Sequence, residues 1–252
     1  MLNQITQLRL PDGQVVALAD WTDKPLYASC DLGTGFTNEI IDLFQVSVGR
    51  PVPTAASTAG GTITPRQNDL RDTNISTQGG LSSTEEFLVY AIKPQVREFT
   101  YDANNFTSRR YVGSGTTASM PAPTLNTLSI LDSHLLVELE ISQKIYSQAS
   151  FSWFNTGFGA QGSVGYNAAS LAKTFANQGL PSQEAVRTLV IPQHIGGQEK
   201  FRLRLRNPSN AAVNFGATEV NPAAAQVPAP SAELLMVTAT VYLDGLYKRP
   251  VS

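Results

Sequence analysis

Lys200-Phe201-Arg202-Leu203-Arg204-Leu205-Arg206 alternates a cation with an apolar side chain at every step. A period of two belongs to a β-strand, whose successive side chains leave opposite faces. Phe201, Leu203 and Leu205 are therefore expected against a core. Lys200, Arg202, Arg204 and Arg206 then stand in a row on the other face. Like charges at that spacing repel, so something must compensate them. Phosphates, anionic lipid head groups or carboxylates, within the chain or on a neighbouring subunit, would each do so. Carboxylates are favoured over nucleic acid, because a net charge of −2 gives no global basic field.

Strand signals dominate on both sides of this segment. Ile5 to Leu10, the turn Pro11-Asp12-Gly13, and Val15 to Leu18 read as a hairpin. Glu39 to Val48, Glu86 to Ile92 and Gln95 to Tyr101 read as further strands. Leu135 to Tyr146 reads as one long strand, with Leu135, Val137, Leu139 and Ile141 on one face, and Ser150 to Phe154 follows. Leu189 to Ile191 and Ala212 to Phe215 extend the series. Leu234 to Leu243 is apolar on both faces, which predicts a central strand. One helix is expected over Asn167 to Asn177, with Ala168, Leu171, Ala172 and Phe175 on one side and Gly179 as its stop. A turn of helix is expected over Ser182 to Thr188. The stretch 113–126, rich in Gly, Ser, Thr and Pro, reads as a linker. About a dozen strands against one or two helices make an all-β sandwich or barrel.

Composition narrows the functional classes. Charged residues are 15% of the 252, while 42% are hydrophobic. So low a charge content suits extensive subunit contacts, since a charge buried there must be paired. The lone cysteine, Cys30, forms no intrachain disulfide, and two histidines, His134 and His194, leave little for a zinc site. Met1-Leu2-Asn3-Gln4 has no basic or apolar leader, so no signal peptide is expected. No apolar run reaches the ~18 residues of a membrane span.

The catalytic motifs are weak. Gly157-Phe158-Gly159-Ala160-Gln161-Gly162 fits GxGxxG, but no βαβ unit surrounds it, so a glycine-rich loop is the expectation and no cofactor. Asp132-Ser133-His134 joins three catalytic residue types on adjacent positions that point apart, and reads as a turn before a strand. Asp102-Ala103-Asn104-Asn105 lacks the glycine and closing glutamate of a calcium loop and reads as a β-turn. Asn74-Ile75-Ser76 and Asn105-Phe106-Thr107 are sequons read as plain loops.

Four further segments carry a likeness. They are Thr73-Asn74-Ile75 through Gly79-Gly80-Leu81 into Glu86–Ile92; Leu135 to Phe154 with Gly157 to Gly162; Gly179-Leu180-Pro181, Leu189-Val190-Ile191-Pro192, Ile195 and Phe201 to Leu205; and Asp244-Gly245-Leu246-Tyr247-Lys248-Arg249-Pro250-Val251. In their order, over residues 73 to 251, they resemble the major capsid proteins of tailless icosahedral bacteriophages, many of which contain a membrane. The resemblance implies a viral jelly-roll β-sandwich, in the double form two tandem jelly rolls over residues 1–125 and 126–252. One jelly roll with long loops is the alternative, because two barrels want about sixteen strands. It further implies a virion protein made in the host cytoplasm, three chains per capsomer, and no catalytic residues. The implied partners are neighbouring capsomers, penton or spike proteins and, where there is an internal membrane, its lipid head groups; no sequence-specific nucleic acid is implied. The long neutral loops 49–83 and 207–232 are expected to order on assembly, and Arg249 to sit in an inter-subunit arm. The alternative function is a receptor- or carbohydrate-binding spike module, with Trp153, Phe154 and Phe158 as candidates, although core packing is expected for Trp153 and Phe154. A cupin-like enzyme would need a metal cluster that two histidines do not supply.

Overall fold

The alternation at 200–206 is realised as a strand that buries Phe201, Leu203 and Leu205 and turns Arg202, Arg204 and Arg206 away from the core. The computed structural model describes residues 7–11, 13–33, 36, 40–55, 65–102, 105–110, 125–154, 161–164, 174–177, 186–209, 211–213 and 234–248. In chain order the elements begin with β1 (Gln7–Arg9), β2 (Val15–Ala17), β3 (Trp21–Asp23), β4 (Leu26–Gly33), β5 (Ile40–Leu43), β6 (Thr54–Ala55), β7 (Glu86–Asp102) and β8 (Asn105–Arg110). Then come helix α1 (Leu125–His134), β9 (Leu136–Ile141), β10 (Lys144–Ser150), a 3-10 turn (Phe151–Trp153), β11 (Gln161–Val164), β12 (Thr174–Asn177), β13 (Thr188–Ile195), β14 (Phe201–Arg206) and β15 (Leu234–Lys248).

Two sheets carry the fold. One runs β13-β7-β15-β4-β6, with β3 also on β15 and β8 on β7; the other runs β10-β9-β14-β5. Their pairings are antiparallel except β4 with β6. Each of these two sheets takes strands from either side of residue 125. A single apolar core draws on both sheets. Leu26, Ala28, Cys30 and Leu32 of β4 and Val237, Ala239, Val241 and Leu243 of β15 meet Val137, Leu139 and Ile141 of β9 and the apolar side chains of β14. Burial pushes the Cys30 thiol far above its ordinary range, so it sits there as a small neutral hydrophobe.

The larger sheet is covered on its outer face as well, which is why β15 reads as apolar on both sides. At one end the hairpin β1–β2 and Trp21 bury Leu10 and Leu88 with Val16, Leu18, Tyr90 and Leu246. At the other end the loop around Arg66 straps across β4 and β15. Arg66 Nε donates to Asp31 Oδ2 (2.9 Å) and its Nη2 to Asp72 Oδ1 (2.6 Å), while Thr238 Oγ1 donates to Asp31 Oδ1 (2.8 Å). Burial pulls the guanidinium pKa down, but hydrogen bonds and charge from both aspartates outweigh it and hold the pKa above its ordinary value. Asn74 completes the strap by accepting from Tyr27 N (2.9 Å) and donating to Pro25 O (2.7 Å). The described part of the loop at 49–83 is thus tied to β4 and β15 within the chain by buried charge.

Other sequence expectations also change. The stretch Leu135–Tyr146 is not one strand. It reverses at Ser142-Gln143, with φ of 49° and 68°, a two-residue turn whose left-handed residues match the strand twist. Glu86–Ile92 and Gln95–Tyr101 are one strand of 17 residues. Pro94 fits inside it because β13 and β8 occupy the same flank only over Phe87–Ala91 and Thr100–Asp102. Asp132-Ser133-His134 is the last turn of α1, and that helix plugs the core with Leu131, next to Leu135, Phe151 and Phe154. In the expected helix at 167–177, Thr174–Asn177 is instead extended and paired with Gln161–Val164, and residues 167–173 lie outside the described set. Gln161-Gly162 of the GxGxxG stretch is therefore strand, not a helix start. Of the helical turn expected at Ser182–Thr188, Val186 and Arg187 are not helical and Thr188 opens β13. Residues 212–213 are irregular, and Ser150–Phe154 leaves β10 through the 3-10 turn.

Candidate assembly surfaces

The expected cation row lies on the outer face of the four-stranded sheet. Register sets Arg202 opposite Glu140 on β9, and Arg204 opposite Glu138 on β9 and Asp42 on β5. Glu138 and Glu140 are almost fully buried beneath the guanidiniums. Arg202 donates to Glu140 Oε1 through Nε (3.0 Å) and Nη2 (2.8 Å), and Arg204 Nη2 reaches Glu140 Oε2 at 2.8 Å. Asp42 bridges both arginines at 3.4 Å; its contact with Arg204 Nε has ion-pair distance without hydrogen-bond alignment. Arg206 stands 3.7 Å from Glu138, which also accepts from Gln148 Nε2 at 2.6 Å. Three arginines thus meet three carboxylates on one face, and the compensation expected from the sequence is found inside the chain. Lys200 is exposed, and among the described residues no ion pair involves it. Arg249 lies outside the described residues.

The ladder makes a graded prediction. Arg204→Met removes a partner from a carboxylate that is 8% exposed. A loss of about 1–3 kcal/mol in unfolding free energy is expected from urea titration. Arg206→Met removes a longer contact, 3.7 Å, made by a half-exposed side chain, and the buried Glu138 keeps its hydrogen bond from Gln148, so a smaller loss of under about 1 kcal/mol is expected. Equal losses would show that the row acts as a uniform charged face.

Beside Lys200 opens a polar cleft of about 480 Å³, lined by Gln45, Gln143, Gln198, Glu199 and Arg202 among others. Its groups are largely satisfied by one another: Glu199 accepts from Ser142 Oγ (2.6 Å) and Gly196 N (2.9 Å), and Gln45 Nε2 donates to Phe201 O (3.0 Å). His194 is engaged elsewhere, 3.1 Å from Glu86. Among the described residues no group of three His, Cys, Asp or Glu side chains is placed to hold a metal ion.

The surface that sequence reasoning missed is apolar. β13 pairs Thr188 with Ala91 and then Gln193 with Val89, so five residues span what two span on β7. Leu189-Val190-Ile191-Pro192 is thereby thrown out of the ladder, and Val190 is 93% and Ile191 64% exposed. Across a cleft of about 260 Å³ stand Tyr146 of β10 and Trp153. Trp153 is 52% exposed, which corrects its expected place in the core, whereas Phe154 is buried as expected. Arg187 stacks over the Trp153 ring at 3.7 Å and Lys144 over Tyr146 at 5.0 Å. Phe158 lies outside the described residues. The available signal was Pro192 directly after an apolar run, since proline within a strand marks an edge or a bulge.

Comparison with protein-family models, curated proteins and solved structures finds no match to this chain.

Proposed function

We propose that the chain is the subunit of an icosahedral viral shell, built as one jelly roll with long loops. The observation that carries this reading is the pairing order of eight strands of the two main sheets, leaving aside the short β3 and β6 and the hairpin extension β8. Numbered 1 to 8 along the chain, β4, β5, β7, β9, β10, β13, β14 and β15 pair 1 with 8, 2 with 7, 3 with 6 and 4 with 5. That is one long antiparallel hairpin rolled up on itself, and its two sheets, 6-3-8-1 and 5-4-7-2, supply the two layers of a jelly roll. The same order favours the single roll over two tandem ones.

Shell proteins, lectins and cupins share that architecture, so the surface has to choose between them. A face whose charges are neutralised within the chain, a charge content of 15%, and bare apolar edge residues favour contact with other protein over catalysis. The partners in this reading are further copies, grouped in threes, then neighbouring capsomers and penton or spike proteins of the virion. With Arg202, Arg204 and Arg206 already ion-paired, lipid head groups and nucleic acid have little free charge to meet there.

Light scattering on the purified protein at two concentrations tests this. The expected result is a mass three times that of the 252-residue chain, or closed shells. A clean monomer at high concentration would overturn it and favour a receptor- or sugar-binding module that uses the polar cleft.

A further inference from the structure

The cleft between Trp153 and the β13 bulge runs along one side of the sandwich, where β10 ends the four-stranded sheet and β13 ends the larger one. Of the nine large apolar side chains exposed among the described residues, Tyr146, Trp153, Val190 and Ile191 line this cleft. Lining one cleft makes them one surface. Two cations stand on that surface, Arg187 stacked on Trp153 and Lys144 on Tyr146. No acidic side chain lines the cleft, and among the described residues neither cation has an ion-pair partner. In this they differ from Arg202, Arg204 and Arg206, whose charge is met inside the chain. β10 pairs only with β9 among the described strands, so its outer edge offers backbone N–H and C=O groups over Lys144–Ser150.

We propose that this side of the molecule receives an extended acidic segment of another protein, laid as an added strand along β10, with an apolar side chain in the cleft and carboxylates on Arg187 and Lys144. An added strand gains main-chain hydrogen bonds from the edge and specificity from its alternate side chains. The cleft, about 260 Å³, has room for one large apolar side chain. Lys144 opens β10, and Ser150 at its far end leads through the 3-10 turn to Trp153 and the stacked Arg187. The two ends of β10 are about 20 Å apart, so the segment carries carboxylates on both sides of its apolar centre. A guanidinium stacked on an indole keeps its N–H edge for a bidentate carboxylate. The β13 edge is broken by its bulge, whereas β10 is regular over Ser147–Ser150, past its own shift at Tyr146. β10 is therefore the edge that pairs. A recessed cleft favours a peptide side chain over a flat lipid surface. The partner is not a further copy, so the proposal goes beyond the shell-subunit reading and does not depend on it.

The probe is the fluorescein-labelled peptide Glu-Thr-Glu-Val-Leu-Val-Glu-Thr-Glu, titrated with the whole chain and read by fluorescence anisotropy. A second peptide has glutamine, and a third lysine, in place of every glutamate. The acidic peptide is expected to bind, and the glutamine peptide about tenfold more weakly or worse. Lys144→Glu/Arg187→Glu changes two exposed side chains, so circular dichroism should show an unchanged fold. This variant is expected to lose the acidic peptide by about tenfold or more and to gain the lysine peptide. Amides over Lys144–Ser150 should exchange hydrogen more slowly with the acidic peptide bound. No binding of the acidic peptide would overturn the proposal, as would equal affinity for the glutamine peptide, undiminished binding by the variant, or unchanged exchange over β10. Binding to phosphatidylglycerol vesicles without binding to the peptide would overturn it in favour of a lipid surface. Light scattering decides the shell-subunit reading separately. A monomer that binds the peptide would overturn that reading alone, and assembly without peptide binding would overturn this one alone.

Discussion

Replacing Arg66 by methionine is expected to lower the unfolding free energy by about 3–5 kcal/mol, the cost of removing one partner from a buried ion pair. The magnitude follows from where its partners sit. The Asp31 side chain is 1% and the Asp72 side chain 9% exposed, and the Arg66 side chain itself is 16% exposed. Arg66 holds both carboxylates with three of its nitrogens. Methionine fills much of the same volume, so the loss reports the charge and not a cavity. A urea titration should show a lower midpoint with an unchanged slope. The same variant should be cut faster by protease within residues 65–75, because this cluster and Asn74 are what tie that loop to β4. A loss below 1 kcal/mol with unchanged proteolysis would mean that the strap is held by its apolar contacts, Ile75 and Leu81, and not by charge.

How much of this was legible in the sequence depended on the range of the interaction. The alternation at 200–206, the N-terminal hairpin and the central strand at 234–243 were legible because one buried face leaves a period of two, and two buried faces leave a solid apolar run. The need for carboxylates opposite the arginine row was legible too, but not their identity, because Asp42, Glu138 and Glu140 come from strands separated by up to about 160 residues and register alone brings them together. Helix α1 was hidden by Asn126, Thr127, Ser129 and Asp132, which favour turns, although Leu125, Leu128 and Leu131 already stood at helical spacing. The Arg66 cluster gave no local sign at all, since it lies in a loop whose composition resembles any solvated segment. The exposed edge was misread for the opposite reason. An apolar Trp153 predicts burial, and nothing local to it shows that its ring lies half-exposed across a cleft from the β13 bulge.

Gly245→Ala is expected to destabilise the fold by about 3 kcal/mol or more, at the upper end of overpacking. The reason is a bulge. β15 pairs Asp244 with Ala91 but Gly245 with Val89, so Tyr90 is an extra residue on β7. The bulge switches which β7 residues face inward: Phe87 and Val89 point to the core before it, and Ile92 and Val96 after it. It also presses the β7 backbone onto β15. A methyl group at Gly245 would lie 1.9 Å from the Leu88 carbonyl oxygen and 3.1 Å from Phe87 Cζ, with no flexible side-chain end to yield. Gly49→Ala makes the control. That residue has φ of 81° and open space around its missing Cβ, so only the left-handed backbone is penalised, at about 1 kcal/mol. Thermal midpoints should therefore fall much further for Gly245→Ala than for Gly49→Ala, and equal shifts would show that β7 relaxes away from β15 freely. Beyond Gly245, Lys248 Nζ donates to Glu86 at 2.5 Å and Glu86 in turn meets His194 of β13 at 3.1 Å, so the same register also fixes where β13 lies along the larger sheet.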